Sequence, residues 1–274
     1  MVSQEQRRRQ LAREKFLRQQ QRRTSARRKA RMRNSVIASV LGVVVIGSVA
    51  LYTTGVLKND DDKKTNASAD VTPSATPSKK APDPCAKPAA GSIKKLSWKK
   101  EPAMTIDTSA KYTMKLATTC GDIGVALKTS AAPHTVNSFN FLAGKGYFDH
   151  TKCHRLTTNG IYVLQCGDPT GLGSGGPGYT IPDENLKDKS LKGNKYPAGT
   201  VAMANTGQKH TGGSQFFLVY KDSPLPPSYT PFGTIDAAGL KVLDKIAAAG
   251  ETTGAGDGAP NATVVINKAT VAKS

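Results

Sequence analysis

Hydrophobic and polar positions alternate at several places in residues 103–274, which predicts short β-strands. Tyr112, Met114 and Leu116 alternate with Thr113 and Lys115, and a second apolar run follows a short turn that contains glycine. Two such runs joined by a short turn indicate a β-hairpin. The same signals predict further strands at residues 161–166, 200–205, 216–220, 230–235 and 262–270.

Two stretches in the same region have apolar residues at helical spacing instead. Pro133 begins the first, which ends at Gly144, and the second covers residues 237–249. Proline is favoured at the first helical position and glycine just after the last one. The residues predicted to face inward are Val136, Phe139, Leu142, Ala143, Leu240, Leu243, Ile246 and Ala247. Many short strands with two helices predict a mainly β fold, a closed antiparallel barrel capped by the helices.

A long apolar run lies nearer the N-terminus. It begins at Ser35 and ends at Leu57, and its 23 residues include no charged side chain. As a helix it would be about 34 Å long, enough for a bilayer core of about 30 Å. A cleavable signal peptide is the competing interpretation. The long basic segment before the run, its length and the lack of a convincing Ala-x-Ala site favour an uncleaved transmembrane signal anchor.

The formal charge of +19 is concentrated before this predicted span. Residues 1–33 contain 13 Lys or Arg and 2 Asp or Glu. The positive-inside rule then places the basic tail, residues 1–34, in the cytoplasm and the rest of the chain outside. A nucleic-acid interface is the alternative use of such a tail, but Phe16 is its only aromatic residue. We therefore expect membrane contact and no nucleic-acid partner.

Residues 58–102 are rich in Asp, Lys, Thr, Ser, Ala and Pro. Such a composition offers few large apolar groups to bury, so we predict a disordered linker that separates the span from a folded domain at residues 103–274. Residues 93–98 are the exception, because they include apolar side chains and Trp98, the only tryptophan, which suit them to pack back on the domain.

The four cysteines, Cys85, Cys120, Cys153 and Cys166, all follow the predicted span, in a compartment that permits disulfides. Three pairings are possible. A bridge between Cys153 and Cys166 is attractive because they lie on strands predicted to be neighbours. Side-chain alternation opposes it unless a bulge intervenes. No Cys-x-x-Cys pair occurs, which disfavours a zinc site.

Two polar residues stand in segments that otherwise resemble buried strands. Arg155 lies near Cys153 and Leu156, and Gln165 follows an apolar run. A guanidinium or a side-chain amide that is buried in an apolar interior without hydrogen bonds costs several kcal/mol, because it has lost its hydrogen bonds to water. We therefore expect both side chains to face each other, a cleft or a ligand.

Five motifs occur in order around these residues. They are Cys-His-Arg-Leu from Cys153, Leu-Gln-Cys-Gly-Asp from Leu164, Met-Ala-Asn from Met203, Gly-Gly-Ser-Gln-Phe-Phe from Gly212 and Pro-Phe-Gly from Pro231. Together they resemble the cyclophilins, the β-barrel peptidyl-prolyl isomerases, and the resemblance extends from about residue 103 to the C-terminus. It implies an eight-stranded barrel that accelerates rotation about X-Pro bonds without a metal or an organic cofactor.

The resemblance also implies site residues. Arg155 corresponds to the arginine that stabilises the twisted amide and Gln165 to the glutamine that contacts the substrate. A large aromatic residue is missing near Pro224 or Leu225, and Tyr229 stands where histidine is common, which implies weak or no cyclosporin binding. The implied substrate-binding residues are Tyr162, Val163, Met203, Ala204, Asn205, Gln215, Phe217, Leu225 and Tyr229.

The sequence thus predicts a single-pass membrane protein with an extracytoplasmic isomerase domain, similar to those that bacteria with thick envelopes display outside the cell membrane. Its substrates would be exported or cell-surface proteins that contain proline. A non-catalytic peptide-binding or chaperone module that uses the same groove is one alternative, and an envelope structural or adhesion protein is another. Arg155 would have a structural role if it were the ion-pair partner of Asp168 or Glu184.

Overall fold

The computed structural model describes residues 82–274. The predicted basic tail, the predicted membrane span and the first part of the predicted linker lie outside these residues. Within residues 82–274, no helix combines the length and the apolar character needed to cross a membrane.

The described chain is mainly β, as predicted. The helices are α1 (Pro133–Gly144) and α2 (Ala237–Ala248). The strands are β1 (Tyr112–Thr118), β2 (Gly121–Leu127), β3 (Thr151–Lys152), β4 (Arg155–Thr157), β5 (Val163–Cys166), β6 (Lys195–Tyr196), β7 (Thr200–Met203), β8 (Phe216–Val219), β9 (Ser223–Pro224), β10 (Pro231–Ile235), β11 (Asp257–Gly258) and β12 (Val265–Lys273).

Ten of these strands form one curled antiparallel sheet in the order β11-β4-β5-β8-β7-β10-β2-β1-β12-β3, and β6 pairs with β9 separately. The predicted closed eight-stranded barrel corresponds to this curled sheet, in which β3 pairs with β12 at one end and β4 pairs with β5 near the other. Residues 153 and 154 connect β3 to β4. There the Cys153 amide donates to Val264 and the His154 amide donates to Gln165, so one chain segment changes partners and spans both ends of the sheet.

The predicted hairpin is present, with Tyr112 of β1 opposite Leu127 of β2. Helix α1 packs against β12 and helix α2 packs against β2. Pro133 occupies the start of α1, and the Asp236 side chain caps α2 by accepting a hydrogen bond from the Gly239 amide. These caps fix where each apolar helix face meets the sheet.

Aromatic side chains fill the core beneath α1. Phe139 is fully buried, and its ring centroid lies 5.2 Å from that of Phe148, 5.4 Å from that of Phe216 and 4.5 Å from that of Phe232. Helix α1 is thereby joined to β8 and β10, the strands on either side of β7. The helix therefore supports the part of the sheet that carries the candidate site.

Residues 82–102, which we name the strap, precede the first strand and lie against the domain. Cys85 is disulfide-bonded to Cys120, and Cys153 to Cys166. The Trp98 ring contacts Phe141 edge to face, at 5.0 Å between centroids. The prediction of a disordered linker over residues 58–102 is therefore corrected for residues 82–102. Composition favoured disorder, but the disulfide and the single tryptophan attach the segment to the folded domain.

Candidate active site

Strands β4 and β5 bring the two polar residues together. Arg155 and Gln165 are direct partners in the antiparallel ladder, and the Arg155 Nη1 group donates to Gln165 Oε1 over 3.3 Å. The amide of Gln165 donates in turn to Gln215 Oε1 at 2.9 Å, and the amide of Gln215 donates to the Gly175 carbonyl at 2.9 Å. A continuous row of hydrogen bonds therefore fixes the orientation of all three side chains.

A second contact holds the guanidinium from its other edge. Arg155 donates from Nε to Asp257 Oδ1 at 2.7 Å and from Nη2 to Asp257 Oδ2 at 2.8 Å. Asp257 is in position because β11 pairs with Leu156 and Thr157 of β4. The hydrogen bonds from Arg155 lower the pKa of the Asp257 carboxyl, and the same contact raises the pKa of Arg155. Because this contact uses Nε and Nη2, Nη1 is the nitrogen that donates to Gln165.

The two structural partners considered from sequence are both engaged elsewhere. The Asp168 carboxylate accepts hydrogen bonds from Thr170, Ser174 and Gly175. The Glu184 carboxylate accepts from the backbone amides of His134 and Thr135 at the start of α1. The interpretation of Arg155 as an ion-pair partner of Asp168 or Glu184 is therefore wrong.

A small cavity of about 110 Å³ lies beside the guanidinium, and we name it the proline-sized cavity. Its side is formed by alternate residues of one strand segment, Ile161, Val163 and Gln165, which share a face. Ile161 was not predicted, although this period of two identifies it. The lining residues are Arg155, Ile161, Val163, Gln165, Ala204, Asn205, Phe217, Leu225 and Tyr229.

Aromatic rings pack against one another at Phe217 and Tyr229, which line this cavity. The Phe217 ring lies 5.4 Å from the Tyr229 ring and 6.2 Å from the buried Tyr196 ring, both edge to face. The Tyr196 hydroxyl donates to the Tyr229 carbonyl at 2.7 Å. Because the Tyr196 hydroxyl has a backbone partner, this buried cluster carries no unsatisfied polar group at that position.

Two predicted residues, Tyr162 and Met203, lie outside the cavity. The ammonium of Lys221 is 4.6 Å from the centroid of the Tyr162 ring, which contacts Tyr220. Met203 is 3% exposed and packs in the main core. Neighbouring strand positions face opposite sides of a sheet. Tyr162 precedes Val163 and Met203 precedes Ala204, so neither side chain faces the cavity that Val163 and Ala204 line.

The backbone beyond β7 provides an open edge. Ala204 donates its amide to the Gln215 carbonyl. The backbone amide and carbonyl of Asn205, in contrast, have no hydrogen-bond partner among residues 82–274. The Asn205 side chain is held by a bond from its Nδ2 to the Ser228 carbonyl at 2.8 Å. A fixed residue with free backbone groups is suited to pair with an extended peptide.

A larger cleft of about 890 Å³ adjoins the proline-sized cavity, and we name it the lateral cleft. Gln165, Ala204 and Asn205 line both spaces. Gln215, a predicted substrate-binding residue, lies in the wall of the lateral cleft. The other lining residues are Lys99, Lys100, Glu101, residues 173–180, Thr206, Thr211, Gly213 and Ser214.

Most of the described part of the chain is similar to known proteins. Residues 113–271 match the family described as cyclophilin type peptidyl-prolyl cis-trans isomerase/CLD. A "Probable peptidyl-prolyl cis-trans isomerase B" of Mycobacterium leprae is 51% identical over 165 residues, which cover 57% of this chain and 56% of the relative. A peptidyl-prolyl cis-trans isomerase of Helicobacter pylori is 41% identical over 133 residues, which cover 48% of this chain and 77% of the relative.

The fold is shared with a solved structure as well. The crystal structure of a Cryptosporidium parvum cyclophilin type peptidyl-prolyl cis-trans isomerase has a TM-score of 0.50 and 26% identity, over 60% of this chain and 99% of that one. The chain spans about half the length of the mycobacterial relative it matches. The match over residues 113–271 covers more than half of the chain and contains Asp257 and every residue that lines the proline-sized cavity. The chain therefore belongs to the cyclophilin type peptidyl-prolyl cis-trans isomerase family.

Proposed function

We propose that the protein is a peptidyl-prolyl cis-trans isomerase that acts on exported or cell-surface proteins. The observation that carries this proposal is the guanidinium of Arg155, which lines the same small cavity as Val163 and Phe217 and is fixed there by Asp257 and Gln165. Its side chain is 38% exposed, so it is accessible from solvent.

The chemistry that suits this geometry is rotation about an X-Pro bond. The barrier of about 20 kcal/mol arises because the amide loses its resonance on twisting. The prolyl nitrogen then becomes pyramidal and gains a lone pair, to which a guanidinium N–H can donate. An arginine that binds this twisted amide more tightly than either planar form lowers the barrier. Val163, Phe217 and Leu225 would hold the ring, and Asn205 would pair with the peptide backbone.

The experiment that tests the proposal is a protease-coupled assay with the full chain and a peptide that contains Ala-Pro-Phe. Cis-to-trans conversion should exceed the uncatalysed rate in proportion to protein concentration. A rate equal to the uncatalysed one would reject the isomerase and leave the alternative of a non-catalytic peptide-binding module. Binding of the same peptide, followed by NMR, would then identify that alternative.

Replacement of Asp257 by alanine should lower kcat by about 5- to 20-fold with little change in KM, because the guanidinium loses the contact that orients it.

The pKa of Asp257 is lowered, so its ion pair with Arg155 is fully formed above the ordinary Asp range and is lost only as pH falls through the lowered pKa. Titration of this ion pair should therefore not change the activity between about pH 5 and 8. Steady-state kinetics measure both effects.

A double-mutant cycle separates orientation from a structural role. If Asp257 acts through the guanidinium, its replacement has no further effect once Arg155 is alanine. Asp222→Ala is the matched control, since Asp222 forms an exposed 2.7 Å ion pair with Lys195 away from the cavity. An unchanged or increased kcat in the Asp257 variant would contradict the orienting role.

We also propose that residues 35–57 anchor the chain in a membrane with residues 58–274 outside the cytoplasm. The uncharged run, the 13 basic residues within 1–33 and the two disulfides support this topology. Protease added to intact cells, after removal of the wall, should digest the folded domain and spare the N-terminal tail. Protection of the domain would reject the proposed orientation.

Cyclosporin should bind weakly to this protein. Leu225 and Tyr229 line the cavity where the family often has a larger aromatic residue and a histidine. Inhibition of the peptide assay measures the affinity, and submicromolar inhibition would contradict the proposal.

A further inference from the structure

The strap builds one wall of the lateral cleft. Lys99, Lys100 and Glu101 line this space together with residues of the family domain. The family match begins at residue 113, so these three residues lie outside it. The cleft beside the proline-sized cavity is therefore completed by a segment that this chain adds to the matched region.

Several contacts hold that wall in place. The Trp98 amide donates to the Pro177 carbonyl at 2.8 Å, and the indole packs against Phe141 and Tyr147. Gly178 has a φ of +88°, and a Cβ atom there would lie only 2.6 Å from the Trp98 carbonyl oxygen. Glycine at this position therefore permits the close approach of the strap, and the wall is a fixed part of the cleft.

The wall carries a net positive charge, because it holds two lysines and one glutamate. Glu101 Oε1 lies 2.7 Å from His134 Nδ1, so that carboxylate has a partner outside the cleft. Lys99 and Lys100 are exposed and form no ion pair with any residue in the part of the chain that the structure describes. Every other residue in the lining is neutral. A cleft with two free ammonium groups on one wall attracts carboxylates.

The position of the cleft determines which carboxylates reach it. Gln165, Ala204 and Asn205 border both the cleft and the proline-sized cavity. An extended peptide advances about 3.3 Å per residue, so side chains two or three residues from a bound proline lie about 7 to 10 Å away. We infer that the strap lysines select substrates with acidic side chains within about three residues of the proline. This inference rests on the proposed isomerase function for its substrate class.

The test uses the full chain and three peptides that contain an Ala-Pro dipeptide. The peptides differ only at the two positions before and the two positions after this dipeptide. These positions hold Glu in one peptide, Lys in the second and Ala in the third. Exchange NMR measures kcat/KM and a shift titration measures affinity. The Glu peptide should exceed the Lys peptide in kcat/KM by about 5- to 20-fold at low salt. This ratio should approach one at about 0.5 M salt, because exposed charges are screened.

Charge reversal assigns the preference to the strap. The double variant Lys99→Glu and Lys100→Glu should reverse the preference, so that kcat/KM for the Lys peptide exceeds that for the Glu peptide at low salt. The matched control is Lys94→Glu with Lys95→Glu, which makes the same charge change on the same strap. Neither Lys94 nor Lys95 lines the lateral cleft. The control should keep the preference for Glu.

Two outcomes would overturn the inference. One is equal affinity and turnover of the Glu and Lys peptides by the unmodified chain, and the other is an equal loss of preference in both charge-reversal variants. Failure of the isomerase proposal looks different, since no peptide would then be turned over. The shift titration would still decide whether the cleft prefers the acidic peptide.

Discussion

Replacement of Arg155 by alanine should lower kcat/KM for a proline-containing peptide by about 100- to 1000-fold, in the range found when a single transition-state donor is removed. The effect should be mainly in kcat, because the guanidinium interacts more strongly with the twisted amide than with either planar isomer. The fold should survive, since Asp257 is 55% exposed and water can solvate its carboxylate after the change. Kinetics and thermal unfolding of the same preparations measure the two effects.

Two further variants sharpen this prediction. Arg155→Lys keeps the positive charge but loses the planar two-point contact with Asp257, so it should restore only a small part of the rate. Lys195→Ala removes a cation from an exposed 2.7 Å ion pair outside the cavity and should leave kcat unchanged. Full activity in Arg155→Ala would contradict the proposed mechanism.

Replacement of Phe139 by alanine should lower the free energy of unfolding by about 3 to 5 kcal/mol, the usual cost of emptying a buried aromatic site. Phe139 has no exposed surface and contacts three other buried aromatic rings, so few neighbours can move into the space. Urea denaturation measures the change, and an unaltered m value shows that unfolding has stayed two-state.

Phe141→Ala in the same helix is the matched control. Phe141 is only partly buried and contacts Trp98 of the strap, so we expect a loss of about 1 to 2 kcal/mol from reduced apolar burial. Equal losses in the two variants would show that the Phe139 cluster is not the main support of α1.

Periodicity predicted the local elements of the domain well. The hairpin of β1 and β2, the start of α1 at Pro133 and helix α2 all agree with the structure. Each depends on short-range signals, namely alternation, helical spacing and capping residues. The strands β3, β6, β9 and β11 were not predicted, because they have two residues each, too few to produce a period.

The site was predictable where a motif and strand alternation coincide. The structure brings Arg155 and Gln165 together, and it places Phe217 and Leu225 beside them. Asp257 lies 102 residues beyond Arg155, and no local pattern connects them. Two predicted residues, Tyr162 and Met203, do not line the cavity, because each is one position out of phase with a lining residue.

The strap shows a different limit of sequence interpretation. Its composition resembles a linker, yet Cys85 and Trp98 attach it to the domain. Composition describes the average tendency of a segment, and it does not register a single disulfide or a single tryptophan that packs on the domain. The exception noted at residues 93–98 was the only sequence signal of this attachment.

The pairing of β1 with β12 has a consequence for synthesis of the protein. Tyr112, near the beginning of the domain, lies opposite Lys273 of β12. A nascent polypeptide cannot complete this ladder until β12 has left the ribosome. Such high contact order slows folding, because a long loop must close before the contact forms. The appearance of β12, rather than formation of α1 or the first hairpin, would therefore set the moment at which the sheet is finished.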